Sequence, residues 1–254
     1  MLPFSLVNQT AIVTGASSGL GAHFATVLAA AGAKVALVAR RKRLAEEVVA
    51  EIKAHGGVGA AFVADVTDRD SIAEALQDIE AELGPVDILV NNAGLHAGGA
   101  AMDLKPEDWD ATLDTNLKGT WLFTQSTARR WMESQRSGVV VNIASILGIG
   151  IGRGVMPYGV SKAALVHMTK TLAREWARYD IRVNAIAPGY FPTELNRDFL
   201  ESPAGQAMVK AIPQRRLGKL EDLDGPLLLL ASPASSYMTG SVIVVDGGHL
   251  LAGL

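Results

Sequence analysis

Tyr158 and Lys162 stand four residues apart in the stretch PYGVSK, so on a helix their side chains would lie one above the other. Ser145 precedes Tyr158 by 13 residues and closes the apolar run GVVVNIAS. A serine at a strand end beside a tyrosine and a lysine on one helix face gives three polar groups that can converge on a carbonyl. The spacing alone also fits an ordinary helical face, so the rest of the chain must distinguish these interpretations.

The composition favours a globular protein that binds small molecules. Of the 254 residues, 49% are hydrophobic and 19% charged, and the net charge is only −3. This balance offers no basic patch for nucleic acid or an anionic membrane. No apolar run approaches the roughly 18 to 20 residues of a membrane span. We expect neither nucleic acid nor a membrane as a partner.

Cysteine and histidine usage argues against thiol and metal chemistry. The chain has no cysteine, and its five histidines are scattered without the spacing of paired metal ligands. We therefore predict no metal site. A signal peptide is not supported, because the first residues lack a basic segment followed by a long apolar run. We expect a cytoplasmic protein.

Seven short runs rich in β-branched residues alternate with helical stretches. The runs are TAIVT (10–14), KVALVA (34–39), AAFVA (60–64), VDILV (86–90), GVVVNIAS (138–145), IRVNAIA (181–187) and SVIVVD (241–246). Between them, apolar residues recur at helical spacing, first Leu44, Val48 and Ile52, then Ile72, Leu76, Ile79 and Leu83.

Near-continuous apolar strands joined by amphipathic helices are typical of a parallel sheet covered on both faces. We predict an α/β fold, a Rossmann-type doubly wound three-layer sandwich with a seven-stranded parallel sheet flanked by helices. We expect one domain over residues 1–254. Ligands in such sheets bind beyond the carboxyl ends of the strands, where the winding reverses.

The first strand runs directly into TGASSGLG (14–21) and then into an Ala-rich helix. Glycines at 15, 19 and 21 suit a tight strand-to-helix turn where the backbone approaches a diphosphate at a helix N-terminus. We predict a dinucleotide site that uses the loop residues Gly15, Ser17, Ser18, Gly19, Leu20 and Gly21. A plain turn is the alternative.

The end of the second strand bears on which dinucleotide is bound. An acid that would hold the ribose hydroxyls of NAD is replaced by Ala39, and Arg40 and Arg41 follow it. A small residue makes room for a 2′-phosphate, and a guanidinium can bind it through charge-assisted hydrogen bonds. We predict a preference for NADP(H), with Arg40 as the main phosphate ligand and Arg41 on adenine or in solvent. Use of NAD(H) stays open. The two arginines could also be solvated basic residues at the start of a helix, with no role in phosphate binding.

Two further strand ends lie at the same edge. Asp65 and Val66 follow the third strand, where a carboxylate and a backbone N–H could contact adenine. After the fourth strand comes NNAG, in which Asn92, Ala93 and Gly94 could tolerate a strained turn near the cofactor. Each signal alone is ambiguous.

Taken together, these pieces resemble the short-chain dehydrogenase/reductase family over nearly the full chain. The matching pieces are TGASSGLG, NNAG, TNLKG (115–119), Ser145, YGVSK (158–162) and PGYFPT (188–193), in the family's order and spacing. One departure is Ser18, which stands where some NADP-dependent relatives carry a basic residue. The resemblance implies an enzyme that interconverts a ketone or aldehyde and an alcohol by hydride transfer.

The resemblance also implies roles for four catalytic residues. Tyr158 would be the acid in reduction and the base in oxidation. The Lys162 ammonium and an oxidised nicotinamide ring would lower its pKa from about 10. Lys162 would also bind the nicotinamide ribose, and Ser145 the substrate oxygen. Asn116 would hold a water that links Lys162 to solvent, although on sequence alone it could equally cap or kink a helix.

The remaining predicted contacts surround the nicotinamide and the substrate. By resemblance, Pro188 and Gly189 shape the wall beside nicotinamide, and Thr193 contacts the carboxamide or phosphates. We expect Leu147 and Tyr190 to contact the substrate. The walls should also include His96, Ile149, Arg153 and Met156. The segment 190–215 is rich in Pro and Gly and is predicted to be a mobile lid, or otherwise an ordinary surface excursion.

Two rival functions remain at this point. One is an NAD-dependent sugar or polyol dehydrogenase, which would need Arg40 turned away from the ribose. The other is a cofactor-sensing scaffold without turnover, against which the intact Ser145, Tyr158 and Lys162 argue. We expect a homotetramer, because the apolar tail TGSVIVVDGGHLLAGL would leave exposed apolar surface at a sheet edge.

Overall fold

We describe residues 4–96, 98–193 and 196–252, without the side chain of Arg197, in a computed structural model of the chain. The seven strands are β1 (Thr10–Thr14), β2 (Lys34–Ala39), β3 (Val58–Val63), β4 (Ile88–Asn91), β5 (Gly138–Ile143), β6 (Ile181–Pro188) and β7 (Val242–Val245). They form one sheet in the order β3-β2-β1-β4-β5-β6-β7, and every neighbouring pair is parallel. The predicted seven-stranded parallel sheet is confirmed.

The helices connect the strands as crossovers. They are α1 (Gly19–Ala30), α2 (Lys42–Ala54), α3 (Arg69–Leu83), α4 (Pro106–Leu113), α5 (Thr120–Glu133), α6 (Met156–Trp176), α7 (Arg197–Glu201), α8 (Pro203–Ala211), α9 (Asp224–Ala231) and α10 (His249–Ala252). A π-helical segment, Asp114–Gly119, joins α4 to α5, and a 3₁₀ turn, Ile146–Gly148, follows β5.

Two apolar layers cover the sheet. On one face Phe24 and Leu28 of α1 pack with Ile52 of α2 and Leu227 of α9. On the other face, buried residues of α3, α5 and α6 form a second layer, among them Ile72, Leu76, Ile79, Phe123, Trp131 and Leu172. Because both faces are covered, the central strands have apolar residues on both sides, which produces the near-continuous apolar runs seen in the sequence.

Several predicted details differ from the structure. β5 ends at Ile143, two residues before Ser145, so Ser145 opens the following 3₁₀ turn. The fully buried residues of α2 are Ala45, Val49 and Ile52, because the helix is rotated by one residue from the predicted face, although Ile52 is shared. Residues 91–94 do not adopt a positive φ, so the strained turn predicted for NNAG is wrong. None of the helices within the described residues is both long and apolar enough to cross a membrane.

Candidate active site

The site lies at the carboxyl edge of the sheet, where the winding of the chain reverses. β1 sits between β2 and β4, so the chain passes outward through β2 and β3 on one side and through β4 to β7 on the other. The loops after β1 and β4 therefore flank a crevice, and open parallel sheets bind ligands there.

The glycine turn after β1 has no room for side chains. Gly15 and Gly19 have φ values of +66° and +56°. A Cβ added to Gly21 would lie 2.3 Å from the carbonyl oxygen of Gly15, and one on Gly15 would lie 2.8 Å from the Cα of Ala93. The glycines at 15, 19 and 21 add no side chain to this turn, so a diphosphate can approach its N–H groups closely.

The N-terminus of α1 has groups that suit an anion. The Ser18 side chain makes no capping hydrogen bond to the helix, and the first turn contains no acid. The unpaired N–H groups and the positive end of the helix dipole therefore face the glycine turn. Leu20 points the other way and packs against the core. The residues present fit the diphosphate of a dinucleotide.

Arg41, rather than Arg40, extends over the glycine turn. Its guanidinium donates to Ser17 Oγ at 3.1 Å and to Ser18 Oγ at 2.9 Å. The positive charge of Arg40 instead helps to lower the pKa of Asp65. The role of Arg40 as the main phosphate ligand stays a prediction, whereas Arg41, expected on adenine or in solvent, lies over the two loop serines. The two loop serines supply the acceptors that attract Arg41, a contact that strand position alone does not reveal.

Asp65 and Val66 lie at the predicted rim but are engaged within the protein. The Asp65 carboxylate accepts from the backbone N–H of Thr67 at 2.9 Å and from its hydroxyl at 2.7 Å. These hydrogen bonds are the main reason why the pKa of Asp65 is lowered. Val66 is buried, and a Cβ on Gly119 would lie 2.8 Å from its side chain. The pair therefore connects β3 to the π-helical segment.

The NNAG stretch links the end of β4 to the glycine turn. Asn92 Nδ2 donates to the carbonyl oxygens of Thr14 at 3.0 Å and Gly15 at 3.3 Å. The backbone N–H of Ala93 donates to Thr14 Oγ1 at 3.1 Å. A Cβ on Gly94 would lie 3.2 Å from Asn116 Oδ1. The predicted cofactor residues Asn92, Ala93 and Gly94 thus hold the shape of the crevice.

Lys162 is a buried ammonium group aligned with Tyr158 on α6. Its side chain is 4% exposed, and Nζ donates to the carbonyl oxygen of Ile143 at 2.7 Å. Nζ lies 5.5 Å from the centre of the Tyr158 ring, as the spacing of four residues predicts. Burial lowers the pKa of Lys162 to about 8. The amine is therefore mainly protonated at pH 7, although less strongly than an exposed lysine.

Tyr158 and Ser145 interact at the same place. Ser145 is 7% exposed, and its Oγ accepts from the backbone N–H of Leu147 at 3.1 Å. Burial raises the pKa of Tyr158, and the nearby phenol of Tyr190 raises it further, while a hydrogen bond with Ser145 lowers it. In the protein alone, desolvation of the phenolate dominates. The lowering expected from Lys162 together with an oxidised nicotinamide ring stays a prediction.

Asn116 lies at 0% exposure inside the π-helical segment. Its Oδ1 accepts from the N–H of Leu95 at 2.8 Å, and its Nδ2 donates to the Leu95 carbonyl at 2.9 Å and to Ser161 Oγ at 3.1 Å. The side-chain amide is therefore engaged by the loop after β4 and by α6. Both N–H groups of Nδ2 are used in these bonds, whereas Oδ1 keeps one acceptor site. The position inside the π-helical segment agrees with the predicted helix distortion, and the water expected at Asn116 stays a prediction.

The residues after β6 form the outer wall. Gly189 donates to the carbonyl oxygen of Val245 at 2.8 Å, and a Cβ there would lie 2.8 Å from the Cα of Asp246. Pro188 is the buried last residue of β6. Thr193 faces the glycine turn, where a Cβ on Gly19 would lie 3.6 Å from its Cγ2. The predicted wall residues thus reach from the nicotinamide side to the diphosphate side of the crevice.

Tyr190 and Leu147, the predicted substrate contacts, are both partly exposed. The ring of Tyr190 lies 6.2 Å from that of Phe199 on α7 and 5.7 Å from that of His249 on α10. Leu147 follows Ser145 in the 3₁₀ turn. Both side chains therefore belong to elements that border Tyr158.

Two histidines lie at this site: His96, which the sequence placed among the walls, and His249, which sequence reasoning missed. The His96 ring lies 5.2 Å from the Tyr158 ring, with the planes tilted by 48°. His249, 3% exposed, carries a buried Nδ1 without a hydrogen-bond partner among the described residues. His96 follows NNAG closely, which gives some signal, whereas His249 follows an edge strand by four residues and carries none.

The predicted lid region contains two short helices. α7 and α8 lie within residues 197–211, and the hydroxyl of Ser202 accepts from the N–H of Gly205 at 3.1 Å at the start of α8. A groove of about 770 Å³ runs between this segment and α2, past Ser17, Ser18 and Thr193. Residues 194 and 195 of the predicted lid lie outside the described residues. No group of three possible metal-binding side chains occurs within the described parts of the chain.

Comparison with known proteins identifies the family of this chain. A family model described as enoyl-(acyl carrier protein) reductase matches residues 15–249. A 3-oxoacyl-[acyl-carrier-protein] reductase from Thermotoga maritima is 39% identical over 246 residues, covering 97% of this chain and 99% of the relative. A gluconate 5-dehydrogenase from Gluconobacter oxydans is 36% identical over 246 residues, covering 96% of each chain.

A solved structure from Agrobacterium tumefaciens, named for 2-deoxy-D-gluconate 3-dehydrogenase activity, contains bound NADP. It is 39% identical, has a TM-score of 0.92, and the match covers 99% of this chain and 100% of that one. Relatives of this kind act on CH–OH or carbonyl groups. The chain therefore belongs to the short-chain dehydrogenase/reductase family of oxidoreductases.

Proposed function

We propose that this protein is an NADP(H)-preferring oxidoreductase that interconverts a ketone or aldehyde and a secondary or primary alcohol, with Tyr158 as the general acid and base. The observation that carries the proposal is the meeting of Ser145, Tyr158 and Lys162 at the same edge of the sheet as the glycine turn. Bound NADPH would supply the hydride for reduction.

The proposed division of labour follows from the environment of each group. Tyr158 donates its phenolic proton to the carbonyl oxygen during reduction. Ser145 donates a hydrogen bond to the same oxygen and stabilises its developing charge. Lys162 holds its proton near the phenol at pH 7 and favours the phenolate that remains after transfer, since its pKa is about 8.

Asn116 has a positioning role in this proposal. Its amide fixes Leu95 at the start of the wall and Ser161 beside Tyr158 on α6. We also propose that Asn116 holds the water that would link Lys162 to solvent, as the family resemblance implies. The catalytic set is therefore Ser145, Tyr158 and Lys162, supported by Asn116.

The preference for NADP(H) rests on the end of β2. Ala39 is small and buried and carries no charge that would repel a 2′-phosphate. Arg41 is already held above Ser17 and Ser18, and Arg40 lies beside it. A guanidinium and two hydroxyl groups form a good set of donors for a phosphate. The NADP bound to the Agrobacterium relative supports this choice.

The substitution Tyr158→Phe tests the proposal. It keeps the ring and removes the proton, so we expect a loss of turnover of about 10²- to 10⁴-fold while the binding of NADPH is retained. Steady-state rates on a panel of carbonyl compounds and fluorescence titration with NADPH measure the two effects. Tyr179→Phe, a change of an exposed tyrosine at the far end of α6, is the matched control. Unchanged turnover in the Tyr158 variant would contradict the assignment.

A second candidate function is an NAD-dependent sugar or polyol dehydrogenase. The gluconate 5-dehydrogenase relative supports a sugar acid as substrate, just as the 3-oxoacyl reductase relative supports an acyl chain. Parallel titrations with NADP and NAD, followed by a screen of acyl, aryl and sugar substrates, distinguish the two. Tighter binding of NAD than of NADP would favour the second candidate.

We further propose a single domain whose segment 190–215 closes over the substrate, and a homotetrameric assembly. The side chains of β7 are only partly buried, Val244 is 42% exposed and Leu251 is 91% exposed, whereas parallel sheets are normally covered on both faces. A second subunit would cover this edge. Sedimentation at micromolar concentration measures the assembly, and a monomer would contradict it.

A further inference from the structure

The loop after β4 brings an imidazole to the mouth of the site. His96 is exposed, and its ring lies 5.2 Å from the ring of Tyr158. A Cβ on Gly98 would lie 3.0 Å from Cε1 of His96 and 3.1 Å from the carbonyl oxygen of Gly154. The imidazole is therefore held between a residue that must stay small and the proposed proton donor.

The loops on the two sides of this position are joined. The N–H of Gly99 donates to the carbonyl oxygen of Gly154 at 2.9 Å, which connects the loop after β4 to the loop before α6. Asn116 holds the preceding residue, Leu95, through two hydrogen bonds. The chain is thus anchored at Leu95, directly before His96, and again at Gly99.

The hydrogen bonding of the ring determines what it can bind. Burial lowers the pKa of His96, which leaves the ring neutral at pH 7. A neutral imidazole has one N–H donor and one ring nitrogen with a free lone pair. The unprotonated ring nitrogen can therefore accept a hydrogen bond.

We propose that His96 is a specificity-determining residue, whose unprotonated ring nitrogen accepts a hydrogen bond from a substrate hydroxyl on the carbon next to the reacting carbonyl. The inference rests on the proposed function, because it takes the carbonyl oxygen to lie at Ser145 and Tyr158. A substituent next to that carbonyl would lie beside the imidazole. The favoured substrates are thus α-hydroxy ketones and the corresponding vicinal diols. Neither a carboxylate nor a plain alkyl group would satisfy this acceptor.

A matched pair of ketones tests the inference. For the wild-type enzyme with NADPH, we expect kcat/KM on 3-hydroxy-2-butanone to exceed that on 2-butanone by roughly fivefold to tenfold, the effect of one hydrogen bond between neutral groups. His96→Phe keeps the aromatic contact with Tyr158 and removes both nitrogens, so the preference should disappear. His96→Gln supplies an amide oxygen and should restore part of it.

The control is His55→Phe. His55 is also exposed. It lies at the end of α2, and its Nδ1 is 2.9 Å from the carbonyl oxygen of Glu51. This variant should keep the wild-type preference. Equal losses on both ketones in His96→Phe, or the absence of a preference in the wild type, would overturn the inference.

A binding measurement separates this inference from the proposed function. In the complex of Tyr158→Phe with NADP, 2,3-butanediol should raise the melting temperature more than 2-butanol does, and the added change His96→Phe should remove the difference. This result supports the inference even if the wild type turns over neither ketone. Equal shifts for the two alcohols would overturn it, whatever the outcome of the kinetic assays.

Discussion

The nucleotide end and the chemical end of the crevice are built in different ways. At the nucleotide end, after β1, the shape is set by backbone, because a Cβ on Gly15 or Gly21 would overlap backbone atoms and Gly19 has a positive φ. At the chemical end, around Tyr158 and Ser145, it is set by side chains whose pKa values depend on burial. Substitutions at the nucleotide end should therefore impair cofactor binding through steric overlap. Substitutions at the chemical end should impair turnover through the loss of a single polar group.

The largest effect is expected from one methyl group at the nucleotide end. In Gly21→Ala the new Cβ would lie 2.3 Å from the Gly15 carbonyl oxygen and 2.4 Å from Asn92 Nδ2, so the turn must open. We expect the binding of NADPH to be lost and the melting temperature to fall. Fluorescence titration and thermal unfolding measure both.

Gly225→Ala in α9 is the matched control, since a Cβ there meets no atom within 4 Å. The better helix propensity of alanine is offset here because Gly225 precedes Pro226, where a Cβ disfavours helical backbone. We therefore expect little change in stability and unchanged binding of NADPH. If both variants bind NADPH equally well, the backbone-shaped nucleotide end is refuted.

The next effect belongs to the chemical end. Ser145→Ala removes one donor to the developing oxyanion, and such a loss typically costs about 2.7 to 4 kcal/mol, or roughly 10² to 10³ in kcat. The affinity for NADPH should hardly change. Stopped-flow rates and cofactor titration measure the two quantities. Ser236→Ala, a change of an exposed serine, should leave both at the wild-type level. A large fall in cofactor affinity in Ser145→Ala would show that the two ends are not separable.

The direction of the reaction should control its pH dependence. Burial raises the pKa of Tyr158, so the phenol stays protonated through neutral pH and reduction should remain near its maximum there. Oxidation needs the phenolate, so its rate should rise by about tenfold per pH unit below the pKa of Tyr158. Above about pH 8 Lys162 loses its charge, and the rise should become less steep. Initial rates in both directions between pH 6 and about 10 check this, and identical profiles would contradict it.

The smallest effect concerns the choice of cofactor. Arg41→Ala removes the guanidinium above Ser17 and Ser18, and we expect the NADP-to-NAD ratio of kcat/KM to fall by about tenfold. Arg40→Ala, its neighbour, should change the ratio less. A larger effect at Arg40 would show that binding of a 2′-phosphate rearranges the two side chains.

The backbone-shaped part of the molecule was the more predictable from sequence. The central strands are buried on both faces and need continuous apolar runs, and the edge strands keep a β-branched pattern, so all seven could be located. The glycine turn needs residues without Cβ atoms. The alignment of Tyr158 with Lys162 followed from helical spacing. In these cases the residue pattern and the local geometry are directly related.

The side-chain part was less predictable, for physical reasons. The direction of Arg41 depends on two serines from another loop, and the raised pKa of Tyr158 depends on how deeply the crevice buries it. Asn116 could be matched to the family by its motif, but the π-helical segment around it and its contact with Leu95 could not. Such features arise from contacts between distant segments, which local pattern does not encode.

The hydrogen bonds from Asn92 to Thr14 and Gly15 link the two loops that flank the crevice, those after β1 and β4. The loops after β1 and β4 cannot move apart to admit a bulkier substrate without breaking both hydrogen bonds. Any adjustment to substrate size must then come from the outer wall, where Tyr190 and Phe199 meet. We therefore expect substitutions that change substrate specificity to fall in that wall, with the two hydrogen bonds of Asn92 retained.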